Sequence, residues 1–310
     1  MSVINTNVSA LYAQNALKTN SRAQSTAMEQ LSTGSRINSA KDDAAGLAIG
    51  QNMTSQVRGL NQAVRNLNDG INMMQTAEGA LVETSNMLQR MRELAVQSMN
   101  GTYSVTQRGY LNTEFAALSS QINKIATETK WNDQNLLDGT VVGDGTNAGT
   151  FKYQAGMSSG QTIVVSIAAM TLTGLSLASQ TGFAIDAVAS GGTDIWGVVH
   201  VSAVTAVTSG VPAIDTVSRA STSLGLVTSA LETINSQRAR IGAAINQMTY
   251  GADNLTNIAS NTSASRSTIM DTDYATASSQ LSKTQIIQQA ATAMLAQANQ
   301  QPQSVLALLK

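Results

Sequence analysis

The sequence of 310 residues contains no cysteine, a single histidine and only two prolines. Without cysteine, the chain has no disulfides, no thiolate nucleophiles and no thiolate metal ligands. A metal site with several histidines is excluded because the chain has only one, His200. The scarcity of proline leaves two long stretches, before Pro212 and between Pro212 and Pro302, without an obligate helix breaker.

Charge is also scarce, because charged residues make up 12% of the chain, about half of the usual ~25%. The 18 basic and 19 acidic side chains nearly cancel, and Ser, Thr, Asn and Gln supply more than a third of the residues instead. A near-neutral chain without a basic stripe is a poor nucleic-acid binder. No apolar run approaches the ~20 residues of a membrane span, so we expect no membrane insertion. The first 25 residues also lack the pattern of a cleaved secretory signal.

Glycine divides the chain, since 13 of the 23 glycines fall between Gly139 and Gly225. We predict helices over residues 1–130 and 213–310 and a β-prone middle. Residues 151–153 alternate, residues 162–167 are rich in β-branched side chains, and the segment 156–160 between them is typical of a hairpin turn. Residues 198–208 could add a second small hairpin.

The helical predictions rest on heptad spacing of apolar residues. One stripe runs from Val57 to Leu88, with breaks at Glu78 and Ser85, and a second stripe lies beside it. A longer stripe runs from Val217 to Ala259 and is broken by Arg238 alone. Two adjacent stripes make a wide apolar face that needs more than one partner helix. The fold class predicted is therefore mainly α: a long antiparallel coiled-coil helical bundle with a small β-hairpin region and with paired N- and C-terminal segments.

The chain ends are rich in large aliphatic residues, although termini are usually polar and frayed. Exposed apolar surface of this kind is typical of interaction sites. Either both ends dock into the chain's own core, or they fold on assembly and a head-to-tail contact builds a helical polymer. We favour assembly, through Ile4, Val8, Leu11, Leu17, Met28, Leu31, Leu281, Ile287, Met294, Leu295, Val305, Leu306, Leu308 and Leu309.

Both ends of the sequence carry a series of specific motifs. They are Ile4-Asn5-Thr6-Asn7, Leu31-Ser32-Thr33-Gly34, Arg36-Ile37-Asn38-Ser39-Ala40-Lys41-Asp42-Asp43, Asn68-Asp69-Gly70-Ile71, Glu78-Gly79-Ala80-Leu81, Gln89-Arg90-Met91-Arg92-Glu93-Leu94, Arg240-Ile241-Gly242-Ala243, Asp273-Tyr274-Ala275-Thr276, Leu295-Ala296-Gln297-Ala298-Asn299-Gln300 and Val305-Leu306-Ala307-Leu308-Leu309. These motifs closely resemble those of the bacterial flagellins. The resemblance covers roughly residues 1–140 and 215–310, in the expected order.

The resemblance implies an extracellular subunit that polymerises into the flagellar filament for motility. It also implies three domains: residues 1–42 with 271–310 as the inner-tube domain of terminal helices, residues 43–170 with 215–270 as a rod-like bundle with its β-hairpin, and residues 171–214 as a short variable insert. The partners implied are further copies of the chain, an export chaperone and the type III export apparatus, and the hook-associated and cap proteins. No cofactor is implied.

The resemblance further implies recognition by the flagellin-sensing Toll-like receptor. The matching positions are Gln89, Arg90, Glu93, Leu94 and Glu114. Leu94 is equally well explained as a core or subunit-interface residue, because it lies on an apolar stripe.

Catalysis has few candidates. His200 with Asp194 or Asp215 is the one way to draw a Ser-His-Asp triad, and its Val/Ser/Thr surroundings are more typical of a strand surface. Asp42 and Asp43 precede a helix start and are more typical of helix caps than of a metal site. We therefore predict that the chain is not an enzyme. The alternatives are a hook–filament junction protein of the same superfamily and a secreted hydrolase with helical arms.

Overall fold

The computed structural model describes residues 7–140, 149–177 and 212–308, with side chains described as far as residue 300. The chain forms two compact units, the first from Met1–Asn61 and Asn257–Lys310 and the second from Gln62–Thr256. The elements in chain order are α1 Val8–Thr33, α2 Ala44–Met99, α3 Val105–Glu128, β1 Lys130–Trp131, β2 Gln134–Asn135, β3 Thr150–Gln154, β4 Thr162–Ser166, α4 Val217–Met270 and α5 Tyr274–Leu308.

The second unit is built around one apolar core to which α2, α3 and α4 all contribute. The predicted heptad stripes supply it, so the mainly α fold class is confirmed. A helix that buries two adjacent stripes needs partners on two sides, and α3 and α4 provide them. The fully buried members from the three helices are Leu67, Met74, Leu81, Leu88, Met91, Leu94, Phe115, Ile122, Val227, Ile234, Ile241 and Met248.

Two of the polar residues that interrupt the predicted apolar stripes, Glu78 and Arg238, lie against each other. Arg238 Nη2 on α4 is 3.6 Å from Glu78 Oε1 on α2. Both side chains are about a third exposed, while the Arg238 Nε is buried without a hydrogen-bond partner. Two of the three breaks in the predicted pattern, Glu78 and Arg238, therefore form one interhelical ion pair that matches the registers of α2 and α4.

The turn between α2 and α3 is fixed by side chains at both helix ends. Ser104 caps α3 in a capping box with Gln107. The buried Arg108 donates from Nε to the Ser98 carbonyl at 2.8 Å and from Nη2 to the Asn100 carbonyl at 3.0 Å. A cation at these carbonyls satisfies groups that the end of α2 leaves unpaired.

The predicted hairpin is confirmed as the antiparallel pair β3–β4, with Phe151 opposite Val165. It packs on the bundle at both ends. The Gln237 amide on α4 donates to the Ser166 carbonyl at 3.1 Å. The Tyr153 ring lies over Gly70 of α2, where a Cβ would come within 2.9 Å of it. Burial raises the pKa of the Tyr153 hydroxyl, which donates to the Met73 sulfur.

A second small hairpin, β1–β2, was not predicted. Its turn consists of Asn132 and Asp133, whose φ values of 48° and 62° are both positive. Two-residue turns of this kind match the twist of the flanking strands and favour Asn and Asp. The other predicted hairpin, at residues 198–208, lies outside the described residues, as does most of the predicted insert 171–214.

Candidate functional site

The segments that join α1 to α2 and α4 to α5 are not helical, although residues 1–130 and 213–310 were predicted as helix. α1 ends at Gly34, whose φ of 71° lies in the left-handed region that glycine favours. Asp43 accepts a hydrogen bond from the Gly46 N–H at 2.9 Å and so caps α2. The sequence predicted the cap at Asp43 but not the end of α1, because a single αL glycine ends a helix without interrupting the apolar pattern by much.

The two connections, residues 34–43 and 271–273, bind each other. The Arg36 N–H donates to the Met270 carbonyl at 2.6 Å, and the Thr272 N–H donates to the Gly34 carbonyl at 3.0 Å. The Arg36 guanidinium also donates to the Ile269 carbonyl at 2.7 Å from Nη2. Its positive charge is thus placed at the end of α4, where the helix dipole favours a cation.

Asp273 begins α5 as a capping residue. Its carboxylate accepts hydrogen bonds from the Thr276 hydroxyl at 2.7 Å and from the Ala275 N–H at 2.9 Å. These bonds stabilise the charged form and lower the pKa of Asp273. A hydrogen bond from the Ser39 hydroxyl lowers the pKa of Asp42 in the same way, against the desolvation that raises it.

The terminal helices α1 and α5 pack against each other in an antiparallel pair, as predicted. The buried Asn20 Nδ2 donates to the Thr284 carbonyl at 2.7 Å, and Asn7 Nδ2 donates to the Ala298 carbonyl at 2.8 Å. Near the other end of the pair, small residues such as Ala27 and Ala277 are buried. The buried residues of this pair are therefore amides and small side chains.

Several large apolar side chains of the same helices remain exposed to solvent. Ile4 and Leu309 lie outside the described residues, and Val305, Leu306 and Leu308 continue α5 beyond the described side chains. Half-buried among the predicted assembly residues are Leu17, Leu31, Leu281 and Leu295, and exposed are Val8, Leu11, Met28, Ile287 and Met294.

Three further exposed residues on this pair were not among the predicted assembly residues. They are Tyr12 (73%), Ile286 (67%) and Tyr274 (58%). Tyr12 follows Leu11 directly and Ile286 precedes Ile287. Each therefore adds exposed apolar area next to a predicted assembly residue, and the apolar face is wider than those residues alone indicate. The terminal pair thus presents a broad apolar surface to solvent.

A separate cluster of charges lies on the second unit, where three of the predicted receptor residues come together. Arg90 on α2 donates from Nε to Glu114 on α3 at 2.9 Å and from Nη1 to Glu93 at 3.0 Å. The hydrogen bond to Glu114, and to a smaller extent the one to Glu93, raise the pKa of Arg90. The three side chains remain 44–68% exposed, so a partner in solution has access to them.

The other two predicted receptor residues have different positions. Gln89 is exposed beside Arg90. Leu94 is fully buried in the core of the second unit, which agrees with the core role that the sequence left open. Leu94 therefore presents no side-chain surface to a partner.

A shallow groove lies next to this cluster, and its α4 side was not predicted from the sequence. α2 supplies the first wall and α4 the second, and no sequence signal relates the two because more than a hundred residues separate them. The lining residues are Gln89, Arg92, Glu93, Val96, Gln97, Thr228, Leu231, Glu232 and Asn235.

Neither a metal site nor a membrane span is found in the described parts of the chain. Over residues 7–140, 149–177 and 212–308, no three acidic or histidine side chains are grouped to hold a metal ion, and no helix is apolar enough over its length to span a bilayer. Asp43 is a helix cap, as predicted. His200 and Asp194 lie outside the described residues, while Asp215 forms an ion pair with Arg219 at 2.9 Å.

These features define a class of protein: a helical bundle with an antiparallel pair of apolar-faced terminal helices, as in subunits of helical assemblies. Comparison with known proteins identifies the family. The N-terminal helical region of bacterial flagellin matches residues 4–142, and the C-terminal helical region of bacterial flagellin matches residues 224–309.

Full-length relatives agree with both matches. The chain is 35% identical over 382 residues to Flagellin A of Vibrio cholerae serotype O1 and 37% identical over 379 residues to Flagellin D of Vibrio anguillarum, in each case covering 99% of both chains. The chain therefore belongs to the bacterial flagellin family. Because these alignments are longer than the 310 residues of the chain, the relatives contain segments that it lacks.

One solved structure shares the fold at low identity. It is that of a flagellar hook-associated protein from Vibrio parahaemolyticus, with a TM-score of 0.53 and 13% identity, covering 74% of this chain and 99% of that one. At this identity the likeness concerns the fold alone, so it gives no support to the hook–filament junction alternative.

Proposed function

We propose that this chain is the structural subunit of a bacterial flagellar filament, which it builds by polymerising with copies of itself. The observation that carries the proposal is the placement of apolar residues on the terminal pair. α1 and α5 bury amides and alanines between them and leave Leu11, Met28, Ile287 and Met294 exposed. Large apolar side chains left in water on two neighbouring helices are stabilised when another subunit covers them.

Seeded polymerisation tests the proposal. Purified chain is mixed with short fragments of its own filaments, and elongation is followed by light scattering and electron microscopy. We expect micrometre-long filaments above a critical concentration. Short rings that stop growing would instead indicate a junction protein. A double variant, Leu11→Ser with Ile287→Ser, tests the apolar surface itself. It removes two exposed apolar side chains and keeps the buried residues between α1 and α5, and it should elongate poorly.

The domain organisation predicted from the sequence belongs to the same proposal. Residues 1–42 with 271–310 would line the filament centre, residues 43–170 with 215–270 would surround them, and residues 171–214 would form the outer insert. The non-helical connections at residues 34–43 and 271–273 support the first boundary, because the helices are interrupted there. The two compact units divide at other positions, between Asn61 and Gln62 and between Thr256 and Asn257. Folding of the ends only on assembly remains a prediction.

The remaining partners follow from the proposed role. Growth of an extracellular filament requires passage through the type III export apparatus, a chaperone that covers the apolar ends beforehand, and contacts with the hook-associated and cap proteins. We place the protein outside the cell on this basis. A structural role also leaves no need for catalysis or for a cofactor.

We further propose that the Arg90 cluster contacts a flagellin-sensing Toll-like receptor. Its support is that Arg90, Glu93 and Glu114 are held in one exposed network, with the exposed Gln89 beside it. Such a preorganised network loses little side-chain freedom when a partner binds.

Alanine variants provide the first test of this receptor contact. We expect Arg90→Ala and Glu114→Ala to reduce receptor signalling at least tenfold, with little change in thermal stability because exposed ion pairs contribute little to stability. Signalling is measured with cells that express the receptor. Arg65→Ala is the matched control, since Arg65 is an exposed arginine on α2 that contacts only Gln62. Unchanged signalling from both cluster variants would remove the assignment.

A further inference from the structure

All sulfur in this chain is carried by methionine, since the sequence has 13 methionines and no cysteine. Among the side chains that the structure describes, three methionines are at least half exposed: Met28 (54%), Met157 (50%) and Met294 (65%). By contrast, Met74, Met91 and Met248 are fully buried in the core. A hydroperoxide in solution has to reach the thioether sulfur to oxidise it, so reactivity should follow this exposure.

Two of these exposed methionines lie on the terminal pair, one on each helix. Met28 is on α1 and Met294 is on α5. The antiparallel register, with Asn7 against Ala298 and Asn20 against Thr284, puts Met294 level with Leu11. The two sulfurs are then roughly 25 Å apart along the pair, taking the rise per residue of an α-helix. They therefore sample its two ends.

We propose that Met28 and Met294 are oxidation sites through which a hydroperoxide prevents the unassembled chain from entering the filament. This inference rests on the proposed filament function. In the reaction a sulfur lone pair attacks one peroxide oxygen, the O–O bond breaks and an S–O bond forms. With hydrogen peroxide the second oxygen leaves as water, so the sulfur is oxidised by two electrons and the peroxide is reduced by two.

The product has the wrong polarity for a subunit contact. A thioether packs against apolar neighbours, whereas a sulfoxide oxygen is a strong hydrogen-bond acceptor that is stable in water and disfavoured in a dry contact without a donor. In the free chain both side chains are exposed, so oxidation leaves the fold intact. The penalty arises only when a second subunit covers the sulfoxides.

Met157 offers an internal comparison. It lies in the turn between β3 and β4, in the second unit, and has nearly the same exposure as Met28. Oxidation there adds a sulfoxide of the same chemistry away from the terminal pair. The inference therefore predicts that assembly depends on Met28 and Met294 and is indifferent to Met157.

Peroxide treatment followed by seeded polymerisation tests the inference. The full chain, Met28→Leu/Met294→Leu and Met157→Leu are each exposed to hydrogen peroxide, quenched and mapped by peptide mass spectrometry for added oxygen. Leucine has a similar volume and cannot be oxidised, and both terminal positions are exposed, so folding should be retained. Circular dichroism checks folding, and the critical concentration for filament growth is the readout.

We expect treatment to raise the critical concentration of the parent chain and of Met157→Leu at least tenfold, and to leave Met28→Leu/Met294→Leu near its untreated value. In finished filaments, Met28 and Met294 should be protected from peroxide. Normal growth of a chain that carries both sulfoxides would overturn the inference, as would equal sensitivity of the double variant. Failure of the untreated chain to polymerise would instead overturn the filament function, and this inference with it.

Discussion

At the scale of single residues, Ser119 shows how a buried hydroxyl can oppose stability. Its side chain is fully buried on α3, and its Oγ has no hydrogen-bond partner. A buried polar group without a partner costs about 1–3 kcal/mol, so Ser119→Ala should raise the free energy of unfolding by about 1 kcal/mol. Urea unfolding followed by circular dichroism measures the change.

Ser98 provides the matched control for that experiment. It is equally buried, but its hydroxyl donates to the Ile214 carbonyl and so holds the start of the α4 segment against α2. Ser98→Ala should lower the free energy of unfolding, because it leaves the carbonyl unpaired. The same sign of change at both positions would contradict this account.

The Asp273 cap makes stability depend on pH in a defined direction. Its pKa is lowered in the folded state by the Thr276 hydroxyl and the Ala275 N–H. A group with a depressed folded pKa stabilises the fold above its unfolded pKa of about 4, and this contribution is lost as pH falls through the folded pKa. Asp273→Asn keeps a capping side chain without the charge, so we expect a smaller fall in melting temperature between about pH 5 and pH 2 than in the parent.

A second substitution separates capping from charge at Asp273. Asp273→Ala should melt at a lower temperature than the parent at neutral pH, since it removes the cap altogether. If Asp273→Asn shows the same acid-induced fall as the parent chain, the carboxylate at residue 273 is not the titrating group.

At the scale of whole elements, the Glu78–Arg238 pair fixes one point of register between α2 and α4. Ion pairs that remain partly exposed contribute little, so a double-mutant cycle with alanine should give a coupling of about 0.2–1 kcal/mol in urea unfolding. Replacing both by leucine removes the charged break from each of the two apolar stripes, and we expect this variant to be more stable than the parent by at least ~1 kcal/mol. A coupling of zero would show that the two side chains act independently.

At the scale of the whole molecule, the C-terminus separates folding from assembly. Deletion of residues 305–310 removes the last turn of α5 together with the two residues after it, and so removes four large aliphatic residues from the sequence. Every core residue of the second unit stays in place. We expect helix content and core melting to be retained and polymerisation to be weakened. Circular dichroism and sedimentation measure the two effects.

A full-length control distinguishes lost length from lost apolar surface. Replacement of Val305, Leu306, Leu308 and Leu309 by serine keeps the chain length, and it should weaken assembly as much as the deletion does. Normal filaments from the truncated chain would show that this segment is dispensable for assembly.

Much of the fold follows from local pattern. Heptad spacing predicted α2 and α4, and alternation with a glycine-bounded turn predicted β3 and β4, because apolar periodicity is set within one segment. The start of α2 was predicted from the capping carboxylate of Asp43, whereas the end of α1 was missed, since a single αL glycine, Gly34, ends that helix. The β1–β2 hairpin was missed because two residues per strand are too few to show a period.

The candidate sites were less accessible to sequence reasoning. Arg90, Glu93 and Glu114 could be carried over from family motifs, but whether their side chains meet depends on how α2 and α3 pack. Leu94 illustrates the limit: its neighbours on the stripe allowed both a core and a surface role, and the packing of α2 in the core assigns it to the interior.

The sequence alone determined that this chain is a cysteine-free, weakly charged helical protein with apolar ends, since composition and periodicity belong to the chain itself. Only the tertiary structure decided which of those apolar residues remain in water. α1 and α5 meet through Asn20, Ala27 and Ala277, and the antiparallel register of the two helices leaves the larger side chains of Met28 and Met294 outside. The physical reason is that burial depends on which faces of two distant segments come together, and no single segment specifies that.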